Sequence, residues 1–177
     1  MSAARRRDEV DEIVDLVDAD DRVIGTVRKV ETDSDPSLIH REVAVLVHRG
    51  SELLWQLRSA GKVVMPLTWD VACAGHVHAG EAPLEAAHRE LLEELGFDVE
   101  LRELERRLVR APRETYFAHV FAGAAPAGLE PALDPLEVEA VEWCDAEGYR
   151  RWVAQGRPLS PVAQALAEAF WRLGRPR

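Results

Sequence analysis

The sequence predicts a single α/β domain in which a mixed sheet is packed between helices. Strand-like apolar runs bracket one well-marked helix, and two further helical patterns close the chain. A length of 177 residues, 47% of them hydrophobic, suits one core and is short for two domains. We therefore expect one domain over residues 10–177, preceded by a flexible tail over residues 1–9.

The first half of the chain is predicted to form strands. Alternating apolar residues on either side of a turn-like stretch at 18–21 predict an N-terminal hairpin within residues 10–30. Residues 42–48 are the most strand-like in the chain, and Arg49-Gly50-Ser51 turns them into a second strand over 53–57. A further strand over 68–74 is expected to lead into a glycine-rich loop.

The central helix is predicted over residues 83–95. Pro83 stands at its first position and Gly96 just past its end, which is the usual placement of these two residues at helix boundaries. Beyond it we expect strands over 99–110, 115–121 and 137–143, and C-terminal helices within 145–175, over 145–154 and 161–173.

Composition narrows the partners and the location. The net charge of −10 and the lack of a basic, aromatic-rich stripe disfavour duplex nucleic acid. An acidic protein that binds small polyphosphates needs a divalent cation or local basic residues. No apolar run approaches the roughly 20 residues of a membrane span, and Cys73 and Cys144 lack CxxC spacing. We expect a cytoplasmic protein without a membrane segment, a disulfide or a zinc site.

Carboxylates on the predicted central helix are the first candidates for chemistry. Helical steps of 100° place Glu90 and Glu94 about 40° apart, with Glu93 on the same flank. Like charges at this spacing repel, and a cation with a preference for oxygen ligands, Mg²⁺ or Mn²⁺, relieves the repulsion. A solvated acidic face is the alternative. The opposite face is expected to pack through Leu84, Ala87, Leu91 and Leu95.

The full spacing over residues 75–97 is G-x5-E-x7-R-E-U-x-E-E-x-G-U, where U is a bulky apolar residue. We call this segment the box. It resembles the Nudix box with every defined position present. The resemblance implies the Nudix α/β/α sandwich, a loop–helix–loop catalytic motif and a small diphosphate substrate. It also implies one or more Mg²⁺ ions, with Mn²⁺ as an alternative.

Roles follow from the resemblance position by position. Glu90, Glu93 and Glu94 would bind the metal and carry out catalysis with Arg89, and Glu90 is the family's frequent general base. The carbonyl of Ala74 would be a further metal ligand. The resemblance also implies that Arg89 pairs with Glu81 to orient the helix and that Gly75 and Gly96 allow tight turns.

A second resemblance covers most of residues 12–173. Residues 12–18, residues 23–25, His40-Arg41, Trp69 and Gly75-His76 are similar to the branch that contains isopentenyl-diphosphate isomerase and its hydrolase-like relatives. It implies a candidate second metal site at His40, His76 and Glu114. It also implies candidate contacts to substrate phosphates at Arg58 and Lys62. Backbone hydrogen bonding by loop histidines and surface solubility of the basic residues are the alternatives.

Two departures favour hydrolysis over isomerisation. Isomerases of this branch have a cysteine immediately before Gly-His, where this chain has Ala74, with Cys73 one place early and so on the other face of a strand. They also have a second glutamate where this chain has Tyr116.

The leading hypothesis is therefore an Mg²⁺-dependent hydrolase of a diphosphate linkage in a nucleoside diphosphate joined to another moiety. An isopentenyl-diphosphate isomerase-like enzyme and a non-catalytic nucleotide-binding module are the alternatives. Specificity is expected in the loops at 33–38, 59–66 and 123–135. The oligomeric state stays open, a dimer being one option.

Overall fold

The computed structural model describes residues 12–173. The tail predicted over residues 1–9 lies outside them. The elements in chain order are β1 (Ile13–Val17), β2 (Val23–Arg28), α1 (Lys29–Thr32), β3 (Ile39–Arg49), β4 (Glu52–Arg58), β5 (Trp69–Asp70), β6 (Cys73–His76), α2 (Pro83–Leu95), β7 (Arg102–Arg110), β8 (Thr115–Ala124), β9 (Val138–Cys144), α3 (Ala146–Ala154) and α4 (Pro161–Leu173).

The mixed sheet has seven strands. Its main path runs β5-β4-β3-β8-β7, with β6 paired to β3 and β9 paired to β4. Strands β3 and β8 are parallel over ten residue pairs, from Ile39–Thr115 to His48–Ala124, and the other pairings are antiparallel. β3 and β4 pair only beside the turn that joins them. Farther from that turn, β6 pairs with β3 and β9 pairs with β4. The β1–β2 hairpin forms a separate two-stranded sheet.

Helices cover both faces of the sheet, as the predicted α/β/α sandwich requires. Val43, Val45 and Val47 of β3 pack against α2, while Ala44 and Leu46 face the cluster that includes residues of α3 and α4. This continuous apolar run is typical of a strand buried on both sides. Among residues 12–173, no helix has both the length and the apolar character of a membrane span.

Three predicted elements differ in the structure. The strand expected over 68–74 is two short strands, because β5 pairs with β4 whereas β6 pairs with β3, and one straight strand cannot reach both partners. The strand expected from Val99 begins at Arg102, since Val99 packs in the core beneath α2. The one-turn helix α1 was not predicted. The helix expected to begin at Asp145 begins at Ala146 as α3. Asp145 caps α3, because its Oδ1 accepts a hydrogen bond from Gly148 N–H at 2.8 Å.

Candidate active site

Gly75 lies in β6, directly under the carboxylate of Glu90 in α2. A Cβ at Gly75 would lie 2.2 Å from Glu90 Oε1 and 2.3 Å from its Cδ, well inside van der Waals contact. Only glycine leaves room for this approach between strand and helix. At the other end of α2, Gly96 adopts the left-handed conformation with φ 69° and ends the helix.

Arg89 contacts two glutamates of the box, Glu81 before it in the sequence and Glu90 after it. Its Nε and Nη2 donate to the two carboxylate oxygens of Glu81 at 2.9 and 3.0 Å, and Nη1 donates to Glu90 Oε1 at 2.6 Å. A further bond from Nη2 reaches the backbone carbonyl of His76 at 2.9 Å. This bidentate, charge-assisted geometry fixes Glu90 and the loop before α2 relative to each other. The expected contact between Arg89 and Glu81 is therefore present.

The three carboxylates expected to bind metal differ in exposure. Glu94 is 5% exposed, the Glu90 side chain 12% and the Glu93 side chain 51%. Burial raises the pKa of Glu94 well above its usual value, and the charge of Glu90 adds to the increase. Burial also raises the pKa of Glu90, although the neighbouring Arg89 opposes this. Two buried, mutually repelling carboxylates offer a set of oxygen donors that fits a hard divalent cation such as Mg²⁺.

The division of α2 into an apolar and an acidic face was only partly right. Ala86, Ala87, Leu91 and Leu95 are fully buried, but Leu84, expected to pack with them, is 43% exposed. The helix meets the core cluster only from Ala86 onward, so its first turn projects past the core. Glu94 lies on the buried side, where Gln56 of β4 donates a hydrogen bond to its Oε2 at 2.9 Å.

Ala74, whose carbonyl is a candidate ligand, lies in β6 opposite Ala44 of β3. Its neighbour Cys73 is fully buried in the cluster beneath α2, whereas Ala74 packs toward the other helical layer. The two side chains therefore point to opposite faces of the strand. Burial raises the pKa of the Cys73 thiol well above its usual value. The packing of the two residues confirms the expectation that Cys73 lies on the other face of the strand from Ala74.

A second group of metal-binding side chains lies on the β3–β6 pair. His40, Glu42 and His76 place one ligand atom each within 4.8 Å of one another. Glu42 Oε1 is 3.1 Å from His40 Nε2 and 3.6 Å from His76 Nε2. Two imidazoles and one carboxylate form a donor set that suits a first-row transition metal better than Mg²⁺.

Glu12, just before β1, contacts His76 of this group and the nearby His78. Its carboxylate lies 3.1 Å from His76 Nδ1 and 3.2 Å from His78 Nε2. Burial opposes protonation of His76, but its hydrogen bond with Glu12 and the charge of Glu42 outweigh that effect and raise its pKa. A carboxylate on one imidazole nitrogen leaves the other directed at the cluster, an arrangement common around metal-binding histidines.

Glu114, predicted with His40 and His76, lies outside this group. Its carboxylate is 3.8 Å from the buried ammonium of Lys29, and that ammonium also contacts Asp33. Tyr116, in the position of the isomerases' second glutamate, is the cross-strand partner of His40, and the two rings lie 5.8 Å apart. The sequence reasoning missed Glu42 and Lys29. Residues two apart on a strand share a face, so the His40-Arg41-Glu42 order contained the signal for Glu42.

Of the candidate phosphate-binding residues, Arg58 ends β4 and Lys62 lies in the loop between β4 and β5. Arg58 donates from Nε and Nη2 to the carbonyl of Val64 at 3.2 and 3.1 Å, and so supports the loop. Lys62 Nζ lies 2.5 Å from Glu137 Oε2. Glu137, just before β9, is a further carboxylate of this region that the sequence did not indicate.

The chain is similar to known proteins in both sequence and structure. The sequence profile of the NUDIX domain matches residues 38–162. The isopentenyl-diphosphate Delta-isomerase of Halorhodospira halophila is 37% identical over 140 residues, which cover 75% of this chain and 79% of that protein. The protein of the same name from Burkholderia multivorans is 34% identical over 145 residues, covering 78% of this chain and 81% of that protein.

Among solved structures, DR0079 from Deinococcus radiodurans superposes with a TM-score of 0.75 at 24% identity, covering 89% of this chain and 98% of that one. This likeness supports the fold. The profile match and the sequence relatives establish the family: the chain belongs to the NUDIX family.

Proposed function

We propose that this protein is a divalent-cation-dependent hydrolase that cleaves a diphosphate linkage in a nucleoside diphosphate joined to another moiety. The observation that carries the proposal is the buried pair Glu90 and Glu94: Glu90 lies against β6 and is held by Arg89, and Glu94 accepts a hydrogen bond from Gln56. Burying two carboxylates together is unfavourable unless a cation compensates them. Glu90, Glu93 and Glu94 are the proposed ligands, with the Ala74 carbonyl as a further one, for Mg²⁺ or Mn²⁺.

The residues of the box then divide the work. A bound divalent cation would neutralise diphosphate charge and lower the pKa of an attacking water. Glu90 accepts the proton of that water, a role that its raised pKa and its fixed position favour. Arg89 and Glu81 hold Glu90 in place, and Arg58 and Lys62 contact the substrate phosphates. We further expect the protein to act in the cytoplasm, in keeping with its two free, buried cysteines.

The direct test is Glu94→Gln, which keeps the hydrogen bond from Gln56 within reach but removes the charge. Metal-dependent release of phosphate should fall by roughly 100-fold or more, while the melting temperature stays equal to or above that of the wild type. The control is Glu85→Gln, which alters an exposed glutamate in the first turn of the same helix. Undiminished hydrolysis by Glu94→Gln would contradict the proposal. A protein without turnover on any diphosphate would instead fit the nucleotide-binding module.

Isomerisation of isopentenyl diphosphate is the second candidate. The relatives with that name, at 32–37% identity, support it about as well as the family supports hydrolysis. His40 and His76 are also present at positions where the isomerases bind metal. Ala74 and Tyr116 stand against it, because alanine has no acidic proton and the phenol of Tyr116, whose pKa burial raises, is a much weaker acid than a carboxyl group. Incubation with isopentenyl diphosphate and Mg²⁺ separates the two functions: dimethylallyl diphosphate would be formed only by an isomerase.

The cluster of His40, Glu42 and His76 is proposed as a second, transition-metal site. Its composition differs from the one predicted, since Glu42 rather than Glu114 lies beside the histidines. The site is separate in chemistry from the box, which offers oxygen ligands alone.

A further inference from the structure

The tip of the β1–β2 hairpin is anchored in the main sheet by a buried aspartate. Asp21 lies in the turn between the two strands with φ 65°, and its side chain is only 4% exposed. Its carboxylate accepts hydrogen bonds from Arg41 Nε at 2.6 Å and from Arg106 Nη1 at 3.0 Å. Its backbone carbonyl accepts another from Arg41 Nη2 at 2.6 Å. These charge-assisted bonds fix the hairpin relative to β3 and β7.

Arg41 joins this anchor to the loop over residues 77–82, which connects β6 to α2 and which we call the box loop. The backbone carbonyl of Arg41 accepts a hydrogen bond from the N–H of Val77 at 3.1 Å, at the start of that loop. Its guanidinium lies 3.6 Å from the carboxylate of Asp15 in β1. Asp15 Oδ1 accepts a hydrogen bond from the N–H of Gly80 at 3.2 Å. Arg41 therefore contacts both the hairpin and the loop.

β1 also binds the middle of the box loop directly. The carbonyl of Ile13 accepts a hydrogen bond from the N–H of Ala79 at 2.9 Å, and Val14 forms a β-bridge with His78. Residues of the hairpin, the sheet and the end of the loop line an open cavity of about 470 Å³. Because of this cavity, the end of the loop is held to the hairpin by hydrogen bonds more than by apolar packing.

The end of the box loop presents Glu81 to the active site. The N–H of His78 donates to Glu81 Oε2 at 3.0 Å, and the N–H of Glu81 donates to the carbonyl of His78 at 3.0 Å. These bonds hold the Glu81 carboxylate where Arg89 binds it, and Arg89 in turn donates to Glu90. A continuous series of contacts thus connects Asp21, in the hairpin, to Glu90, the proposed general base.

We propose that the N-terminal hairpin positions the active site through three residues, Asp15, Asp21 and Arg41. They hold the box loop, and the loop holds Glu81 against Arg89. This inference rests on the proposed function. The competing account is that the network only fastens the hairpin, in which case its loss lowers the melting temperature and leaves cation affinity unchanged. If the network positions the loop, its loss also weakens cation binding, because residues that orient metal ligands contribute to metal affinity.

The experiment measures Mn²⁺ affinity of the full chain by electron paramagnetic resonance, without substrate and well below the melting temperature of each variant. Asp21→Asn tolerates the positive φ but loses the charge that binds the two arginines. Asp15→Ala removes the acceptor for the N–H of Gly80, whereas Asp15→Asn keeps an oxygen that can accept it. We expect Asp21→Asn and Asp15→Ala to weaken Mn²⁺ binding roughly tenfold, and Asp15→Asn to recover most of the loss.

Asp20→Asn is the matched control, because Asp20 lies in the same turn and pairs at 2.6 Å with the exposed Arg22. Its Mn²⁺ affinity should equal that of the wild type. Wild-type affinity in both Asp21→Asn and Asp15→Ala would overturn the inference and leave a purely structural network. An equal loss in Asp15→Ala and Asp15→Asn would also overturn it, because the bond to Gly80 would then not be the connection. If Asp21→Asn does not fold, the two Asp15 variants decide.

Two further measurements separate this inference from the proposed function. Glu94→Gln should lose Mn²⁺ binding; if it does while Asp21→Asn and Asp15→Ala bind normally, only the inference fails, and if Glu94→Gln binds normally, both fail. With a diphosphate substrate, Asp15→Ala should lower kcat roughly tenfold and change KM little, because the loop acts on Glu90 and not on the bound substrate. The expected Mn²⁺ affinities without turnover on any diphosphate would refute the proposed function alone.

Discussion

An alanine in place of Gly75 should damage catalysis much more than folding. The new Cβ would lie 2.2 Å from Glu90 Oε1, so the carboxylate must retreat by about 1.2 Å to reach ordinary contact at 3.4 Å. The atoms in the way belong to the end of a flexible side chain, and the backbone need not move. A misplacement of about 1 Å in a catalytic group can cost ~100-fold in rate, which corresponds to about 2.7 kcal/mol. The melting temperature should change by no more than a few degrees.

The assay compares kcat/KM for Mg²⁺-dependent phosphate release with the thermal midpoint of the same preparation. Gly25→Ala is the matched control, because a Cβ at Gly25 has no neighbour within 4 Å. We expect Gly75→Ala to lose about 100-fold in kcat/KM and the control to lose nothing. A fully active Gly75→Ala would refute the placement of Glu90 at the reacting centre. A Gly75→Ala that unfolds would refute the claim that only the side chain must yield.

Four more predictions follow from the contacts in the box and at the histidine cluster. In EDTA, the free energy of unfolding should fall as the pH rises above 4.5, because the folded protein keeps the Glu94 proton that the unfolded chain releases. Thermal melts at several pH values should show a smaller loss of stability for Glu94→Gln than for the wild type. Mg²⁺ at about 100 times its Kd should add ~2.7 kcal/mol and raise the midpoint by roughly 5–10 °C, and an unchanged midpoint would argue against a cation site. Arg89→Lys should cut kcat/KM by roughly 10- to 100-fold, because lysine cannot bridge Glu81 in bidentate fashion; wild-type kinetics would show the bridge to be dispensable. Calorimetry should show that Glu42→Gln no longer binds Zn²⁺ at His40 and His76, whereas Glu114→Gln still does. The reverse result would favour the ligand set predicted from the sequence, which had Glu114 beside the two histidines.

The helix α2 could be predicted from sequence because its signals are local. Pro83 and Gly96 mark its ends, and the structure has the helix at Pro83–Leu95 as expected. The division of residues 68–76 between β5 and β6 could not be predicted, because it depends on which neighbouring strand each segment pairs with. Leu84 shows the same limit: periodicity assigns it to a face but does not say where the core ends.

The residues that complete the site were harder to predict. Glu42 could have been predicted, because residues two apart on a strand such as β3 share a face and Glu42 follows His40 by two. Glu137 gave no such pattern, because it lies in a loop and comes close to Glu94 only through tertiary contacts. The box therefore predicts the carboxylates of one helix, whereas the side chains that neutralise or supplement them depend on the packed structure.

The most direct test of the central claim, water attack on phosphorus, uses oxygen-18-labelled water containing deuterium. Purified protein with Mg²⁺ is incubated separately with a nucleoside diphosphate derivative and with isopentenyl diphosphate, and the products are examined by mass spectrometry. We predict that oxygen-18 enters a phosphate product of the nucleotide substrate, and that this label disappears in Glu94→Gln. Deuterium on carbon of the isoprenoid, with no oxygen-18 in any phosphate, would contradict the account and identify an isomerase.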